Sequence, residues 1–566
     1  MGASLAMLLA IGAGALGRAD QAASAGVEPE PPNVVVITTD DQDEASVAAM
    51  PNVLDRIGDE GVRFSESLVN LPLCCPSRAT FLTGQYPHNN GVINNRPPNG
   101  GFQSLDSENA LPVWLQEAGY YTAMIGKYLN GYEQTEPTIP AGWSEWHAMR
   151  AVVYLYYGYT LLEGGVETQY GSPGENPDDP AAPETYLTDV LTGKAVDLID
   201  QRAPSDQPFF LWLTYLAPHG GGPGGTATRC HESARPAVRH LGDYDGEALP
   251  APPNLNEANV SDKPRIVRSR PRITPAGLEQ LERDWRCRRE TLKAADEGIA
   301  AVLDALEASG ELDNTLVVFT SDNGLLFGEH RYVAAKRHPY EEAIRVPLLM
   351  RGPGIEPGAR VRELAFNTDL AATILDATGA EPSVAQDGRS LLPIARRREI
   401  RNGRDLLIRG PGWMGVRNHR FTFVRRDGAA GGGAELYDLK RDPFQLESLD
   451  EARRYADERR ALRKRLRVLR HCAGRKCTRR PALRLRVMPS RCRAPRVRVR
   501  ATGGDRDALG RVRFERDGKR LRTARRKPFQ IRARRADVKR ITARATLIDG
   551  RLVTLAAAGR RACGLR

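Results

Sequence analysis

Asn33-Val-Val-Val-Ile-Thr-Thr39 runs without a break into Asp40-Asp41-Gln42-Asp43. Seven residues are few for a helix, and a β-branched run without alternation predicts a strand buried on both faces. Three more runs share the texture: Tyr121 to Ile125, Phe209-Phe-Leu-Trp-Leu-Thr-Tyr-Leu216 and Leu316-Val-Val-Phe-Thr320. Helical patterns lie between them, Leu111 to Glu117 stopped by Gly119 and Leu292 to Leu306 ending near Gly310. Pro347 to Met350 (strand) and Leu370 to Leu375 (helix) continue the alternation. This order predicts an α/β fold. Gly220 to Gly225 and Ala248 to Pro253 read as loops.

Each of the four apolar strands is followed at once by reactive polar residues. They are Asp40-Asp41, Lys127, His219 and Asp322-Asn323. Ligands of open parallel sheets bind beyond the carboxyl ends of the strands, so one sheet edge would gather all six residues. Asp40, Asp41, Asp322 and Asn323 are hard oxygen donors with no imidazole or thiolate among them, which suits Ca²⁺ or Mg²⁺ rather than zinc. The plain alternative is that Asp40-Asp41 cap a following helix.

Past Arg404 the texture changes. Trp413 to Val424 predicts a hairpin around Arg417-Asn418, Glu435 to Leu439 another strand, and Glu451 to Leu469 a charged amphipathic helix. Beyond it, period-two alternation in Leu483-Arg-Leu-Arg-Val487, Val497-Arg-Val-Arg500 and Val512-Arg-Phe514 predicts a small β-sandwich, with hairpin turns at Asp517-Gly518 and Asp549-Gly550. From Arg475 to Arg566 there are 31 Lys and Arg against 6 Asp and Glu, a net of +25; the remaining 51 against 64 give −13. An acidic protein with a basic tail therefore lies behind the overall +12.

Ala3 to Leu16 is apolar but shorter than the roughly 20 residues of a membrane span. With Ala23-Ser24-Ala25 offering a cleavage site, it reads as a secretory signal peptide, an uncleaved anchor being the alternative. Export predicts that most of the eight cysteines pair. Cys230 and Cys287 would bridge, and Cys472, Cys477, Cys492 and Cys563 would form a set with three possible connectivities.

Leu73-Cys-Cys-Pro-Ser-Arg-Ala-Thr-Phe-Leu-Thr-Gly84 fits C-x-P-S-R-x-x-x-x-T-G, with Cys74, Pro76, Ser77, Arg78 and Thr83-Gly84 in place. It resembles the signature of the type I sulfatases. Asn33 to Asp43, Gly126-Lys127, Ala217-Pro218-His219, Thr320 to Gly324 and Leu436 to Pro443 also resemble blocks of that family. Tyr86-Pro-His-Asn89, Gly126-Lys-Tyr-Leu-Asn130, Gly142-Trp-Ser-Glu-Trp146 and Val346 to Gly354 are most similar to N-acetylglucosamine-6-sulfatases. One departure stands out. Many members carry histidine two residues after the lysine, where this chain has Leu129 beside Asn130.

The resemblance implies an alkaline-phosphatase-like sulfatase fold: a large mixed sheet flanked by helices and a smaller C-terminal antiparallel sheet, with the basic β-sandwich-like domain appended. The expected divisions are a signal peptide (1–25), a catalytic domain (33–400), its C-terminal subdomain (401–470) and a basic β-rich domain (471–566). It further implies a metal site of Asp40, Asp41, Asp322, Asn323 and position 74, holding Ca²⁺ in preference to Mg²⁺. A maturation enzyme would oxidise Cys74 to formylglycine. Of the hydrate's two hydroxyls, one attacks sulfur and the other later expels sulfate, a covalent route that splits one hard displacement into two easier steps. Arg78 would hold the hydrate, while Lys127 and Lys336, the latter within Gly328 to Glu341, would stabilise the transferring sulfuryl group. His219 would protonate the leaving alkoxide.

The implied activity is hydrolysis of a sulfate monoester, best the 6-sulfate of N-acetylglucosamine in a glycan, by a secreted or envelope-associated protein. An arylsulfatase, a phosphonate or phosphate monoester hydrolase, and an inert polyanion-binding protein are the alternatives. The basic tail predicts polyanion binding, with sulfated polysaccharide favoured over an anionic envelope and no nucleic-acid motif present; a solvated spacer is the bland alternative. His88, His147, His330 and His338 are candidate substrate contacts more readily explained as structural. Trp143 and Trp146 suit either a sugar cleft or the core.

Overall fold

The computed structural model describes residues 31–566 except 152–153, 173–184, 204, 222–229, 231–232, 397–403, 429–430, 479–482, 489–494, 502–508, 526–527, 548–551 and 557–566. The N-terminal apolar run, Asp549-Gly550, Cys492 and Cys563 lie outside the described residues.

The four apolar runs form β1 (Asn33–Thr39), β2 (Tyr121–Gly126), β3 (Phe209–Thr214) and β4 (Thr315–Ser321). They lie side by side in the order β4-β1-β3-β2, all parallel, at the heart of a ten-stranded sheet. Their carboxyl ends therefore share one edge. Leu348–Arg351 runs antiparallel to β4, which makes the sheet mixed.

Alternation sorts the side chains into two layers. Val35, Ile37, Ala123, Ile125, Leu211, Leu213, Val317 and Phe319 pack on one face with residues of α2 (Leu187–Arg202) and α3 (Pro275–Ala308). Val34, Val36, Met124, Phe210, Trp212, Leu316 and Val318 pack on the other with α1 (Cys74–Thr83) and α4 (Thr368–Thr378). Helices on both faces explain why the strands read as unbroken apolar runs.

α3 spans 34 residues and starts well before Leu292. Its N-terminal half is crowded with charges, which hid the periodicity, but Thr274 caps it by accepting a hydrogen bond from the Gly277 amide at 3.1 Å. β3 ends at Thr214, two residues earlier than expected, because Leu216 and Ala217 belong to the turn that carries His219.

A four-stranded antiparallel sheet, Leu406–Gly410, Trp413–Arg417, Phe421–Arg426 and Ala434–Asp438, packs against the helix Ala456–Leu469. The C-terminal part consists of two antiparallel sheets of three and four strands enclosing one apolar core. Asp517 and Gly518 both take positive φ, 49° and 77°, as a tight hairpin turn requires.

Candidate active site

Cys74 opens α1 and Arg78 follows one helical turn later, so the motif's spacing puts both side chains on the face beneath the strand ends. Every residue of α1 is buried. Lys127 leaves β2 through Gly126, whose φ is 111° and where a Cβ would collide with the carbonyl oxygen of Thr214. Lys336 arrives on an irregular segment containing four positive-φ residues, His330, Arg331, Ala334 and Arg337. That segment is tied to the approach of α1 by the Arg337 amide, which donates to the Pro72 carbonyl at 3.0 Å. Asp41 is itself left-handed, with φ 65°.

The atoms converge. Lys336 Nζ lies 3.0 Å from Cys74 Sγ and donates to Asp41 Oδ1 at 2.6 Å. Cys74 Sγ lies 3.5 Å from Asp40 Oδ1. Asp40 also binds Lys127, and Arg78 Nη2 at 3.2 Å. Arg78 Nε donates to Asp322 Oδ2 at 2.7 Å, while Asp322 Oδ1 accepts the Asp41 amide at 3.2 Å. Asn323 Nδ2 donates to Asp41 Oδ1 at 2.5 Å. His219 Nδ1 donates to the Gly220 carbonyl at 2.7 Å, which turns Nε2 to Asp41 at 3.4 Å. Side chains of Lys336 and His219 are 19% and 18% exposed and mark the opening; those of Asp40, Arg78, Lys127 and Asp322 are 2% exposed or less.

Burial would raise the carboxyls of Asp40 and Asp41, but Lys127, His219, Arg78 and Lys336 around the first, and Lys336 and His219 beside the second, hold both below the ordinary range. Asp322 goes the other way, pushed up to about 6 by burial and by Asp40. Burial and the Asp40 carboxylate push the Cys74 thiol up to about 12. At neutral pH it is a thiol, not a thiolate, and a poor nucleophile. Burial brings His219 down to about 4 against the pull of Asp41 and Asp40.

One donor atom each from Asp40, Asp41, Cys74 and His219 lie within 4.8 Å of one another. Asn323 Oδ1 is buried with no hydrogen-bond partner among the described residues. An orphaned amide oxygen beside crowded carboxylates fits a hard divalent cation, since such an ion takes oxygen ligands and relieves the repulsion. Asp40 and Asp41 cap no helix. The carboxylate that meets the short helix Ala45–Ala49 is that of Asp43, one residue before the N-cap Glu44; it accepts the Ser46 amide at 3.0 Å.

All the site residues expected from sequence thus meet at one sheet edge. Two others were missed. Arg288, on α3, donates to the Asp41 and Pro218 carbonyls at 2.6 and 2.8 Å. Tyr154 stacks on His219 at 4.8 Å and lies under Lys127 at 5.2 Å. Neither sits in a local pattern that sequence reading detects. Trp143 and Trp146 are core residues, Trp143 stacking on Phe210 and Trp212. His88 bonds the Cys472 carbonyl at 2.9 Å, His147 lies between Glu145 and Glu163, and His330 contacts Glu257 at 2.6 Å. His338 packs on Tyr332. All four have structural partners.

Residues 32–380 match the Sulfatase family, and 328–472 match N-sulphoglucosamine sulphohydrolase, C-terminal. The chain belongs to the sulfatase family. It is 36% identical over 377 residues to N-acetylglucosamine-6-sulfatase of Homo sapiens, covering 64% of each chain, so it spans less than two thirds of that relative. An arylsulfatase of Volvox carteri is 32% identical over 512 residues, covering 79% of this chain and 76% of that one. A solved sulfatase-fold structure in complex with its substrate D-glucosamine-2-N,6-O-disulfate is 26% identical with TM-score 0.61, covering 77% of this chain and 97% of that one. The alkaline-phosphatase-like fold read from sequence stands. Among the described residues, no helix is long and apolar enough to cross a membrane.

Proposed function

We propose that this sulfatase hydrolyses sulfate monoesters of sugars, the 6-sulfate of N-acetylglucosamine in a glycan being its best substrate, outside the cytoplasm. The observation that carries the reading is the setting of position 74: a protonated thiol at the N-terminus of α1, 3.0 Å from Lys336 Nζ and 3.5 Å from Asp40 Oδ1. A neutral thiol there explains nothing. As the precursor of formylglycine, with Sγ marking where a hydrate hydroxyl belongs, it does.

Asp40, Asp41, Asp322 and Asn323 would hold Ca²⁺ in preference to Mg²⁺, with position 74 completing the set. When bound, such an ion supplies charge for sulfate oxygens and acidifies the nucleophile. Formylglycine, once hydrated, supplies one hydroxyl to take the sulfuryl group and a second whose deprotonation releases it. Arg78, clamped between Asp322 and Asp40, fixes both carboxylates and the end of β2 through the Lys127 carbonyl at 2.5 Å. Lys127 and Lys336 are held protonated by the carboxylates around them and point positive charge at position 74. That charge stabilises the transferring group. His219 Nε2, freed by the Nδ1 bond to Gly220, exchanges a proton with the leaving oxygen.

Human N-acetylglucosamine-6-sulfatase and the disulfated glucosamine complex support the sugar substrate, and the algal arylsulfatase names the competing one. The test is purified protein carrying an aldehyde at position 74, seen by mass analysis of that peptide, assayed on N-acetylglucosamine 6-sulfate and on an aryl sulfate. A higher kcat/KM on the sugar is expected. Preference for the aryl sulfate would overturn the substrate, and an unmodified thiol in protein made beside a maturation enzyme would overturn the mechanism.

A further inference from the structure

We propose that the C-terminal pair of sheets carries its own binding groove for a sulfated polysaccharide, separate from the catalytic centre. The groove, of about 740 Å³, is lined among the described residues by Arg496, Arg516, Arg522, Arg532, Arg534 and a single carboxylate, Asp537, together with apolar and amide side chains. Asp537 is already engaged by Arg516 at 3.0 Å. Arg496, Arg522, Arg532 and Arg534 have no carboxylate partner among the described residues.

The register makes this arrangement costly. Arg496 and Arg532 are direct cross-strand partners, and like charges in that position destabilise a sheet. Elsewhere in the module the same problem is solved. Arg513 and Arg544 are also cross-strand partners, and buried Glu515 lies between them, 2.6 Å from one and 3.2 Å from the other. Of the four arginine pairs that the register sets side by side, Arg484 with Arg500, Arg486 with Arg498, Arg496 with Arg532 and Arg513 with Arg544, the last is neutralised by Glu515, while Arg496 and Arg532 line the cavity. An external anion is the missing partner.

Its chemistry follows from the lining. Guanidinium forks match tetrahedral oxyanions and bind them with paired hydrogen bonds. Several arginines along one groove suit a chain carrying repeated sulfates better than a single small anion. Among the described residues no Phe, Tyr or Trp lines the groove, so none of them stacks on the bases of a single-stranded nucleic acid. Leu521, 42% exposed, is its one exposed large apolar side chain, too little to insert into a bilayer. This reading concerns binding alone and does not depend on which ester the catalytic centre hydrolyses.

The test uses full-length protein, heparin as the sulfated probe, its chemically desulfated form, duplex DNA, and vesicles of phosphatidylglycerol. The variant R496A/R532A/R534A is compared with R460A/R463A/R467A, which removes the same charge from the helix Ala456–Leu469. At low salt the groove variant should bind heparin at least tenfold more weakly, with the slope of log Kd against log salt reduced by about 2–3, roughly one per lost ionic contact. The helix variant should change binding less than threefold. Turnover of a small sulfated sugar should stay within twofold in both. Because the substitutions relieve like-charge repulsion, the groove variant should melt no lower than the parent. Equal losses in the two variants would replace the groove by diffuse charge. Unchanged heparin binding in the groove variant, or DNA, vesicles or desulfated polymer bound as tightly as heparin, would also overturn the proposal.

Discussion

Arg288 offers the sharpest test of how the site is held. Its guanidinium donates to the backbone carbonyls of Asp41 at 2.6 Å and of Pro218 at 2.8 Å, joining the turn that carries Asp40 and Asp41 to the one that carries His219. Asp41 sits at φ 65°, a conformation its neighbours must enforce. Arg288→Met keeps the volume but removes both donors. Hydrogen bonds from a charged group contribute about 1.5–3 kcal/mol each, and relief from burying the charge returns part of that, leaving a net loss of about 2–4 kcal/mol. For the compact unit Pro32–Arg566, 1 kcal/mol corresponds to about 1 °C, so Tm should fall by about 2–4 °C. The effect on chemistry should be larger than on folding. A displacement of about 1 Å in a catalytic constellation costs on the order of 10²-fold, so kcat should fall at least tenfold in protein that remains folded, with KM little changed. Arg288→Lys, a single point donor that cannot span both carbonyls, should fall between. Calorimetry and steady-state kinetics decide it. A kcat within twofold of the parent in Arg288→Met would refute the idea that this bridge positions Asp41 and His219.

Cys74→Ala should abolish sulfate release, whereas Cys75→Ala should keep most of it and lose about 1 kcal/mol in denaturant titration, the scale of one small core group. Removing the Cys230–Cys287 bridge, whose partners are 57 residues apart, should cost up to about 4 kcal/mol by loss of loop-closure entropy. Thiol labelling of the native parent should find no accessible cysteine among the described residues, since Cys74 and Cys75 are buried and Cys472 pairs with Cys477; rapid native labelling would contradict this packing. Chelation should lower Tm and added Ca²⁺ restore it more fully than Mg²⁺; a Tm indifferent to chelator would count against the metal site. Burial pushes the carboxyls of Glu329 and Glu342 up to about 7, helped by Asp43 at the first and by Glu329 at the second, so the folded state keeps protons that the unfolded state releases near pH 4.5. Stability from this pair is therefore lost as pH rises from about 4.5 through 7, and Glu342→Gln should narrow the Tm difference between pH 5 and pH 8. A profile parallel to the parent's would exclude the pair as the cause.

What sequence could reveal here follows from range. A parallel strand covered on both faces must be apolar throughout, so Val34 to Ile37 and Phe209 to Leu213 announce themselves, and the residues just after them fall at the functional edge by geometry alone. Lys336 was legible only through family resemblance, because its segment is neither helix nor strand and its place depends on the Arg337 bond to Pro72. Arg288 and Tyr154 were not legible at all. Arg288 meets Asp41 across 247 residues, from the charged stretch of a helix whose periodicity began late. Such a residue looks like any surface arginine until the fold buries it.

The two adjacent cysteines show why a short motif carries so much. Consecutive helical residues point about 100° apart, so Cys74 and Cys75 cannot share an environment. Cys74 faces the strand ends, with Lys336, Asp40 and, one turn below, Arg78 around it. Cys75 packs in the apolar layer beneath the sheet, its Sγ 3.8 Å from the Asn130 carbonyl. The same Asn130 stands beside Leu129, where many relatives carry histidine, and its amide reaches the Tyr154 hydroxyl at 3.0 Å. Tyr154 in turn stacks on His219 and underlies Lys127. Next to Leu129 in the chain, the Asn130 amide is joined to the Tyr154 phenol, whose ring reaches the site. The departure in sequence thus coincides with an aromatic ring stacked on His219, the residue proposed to exchange the proton.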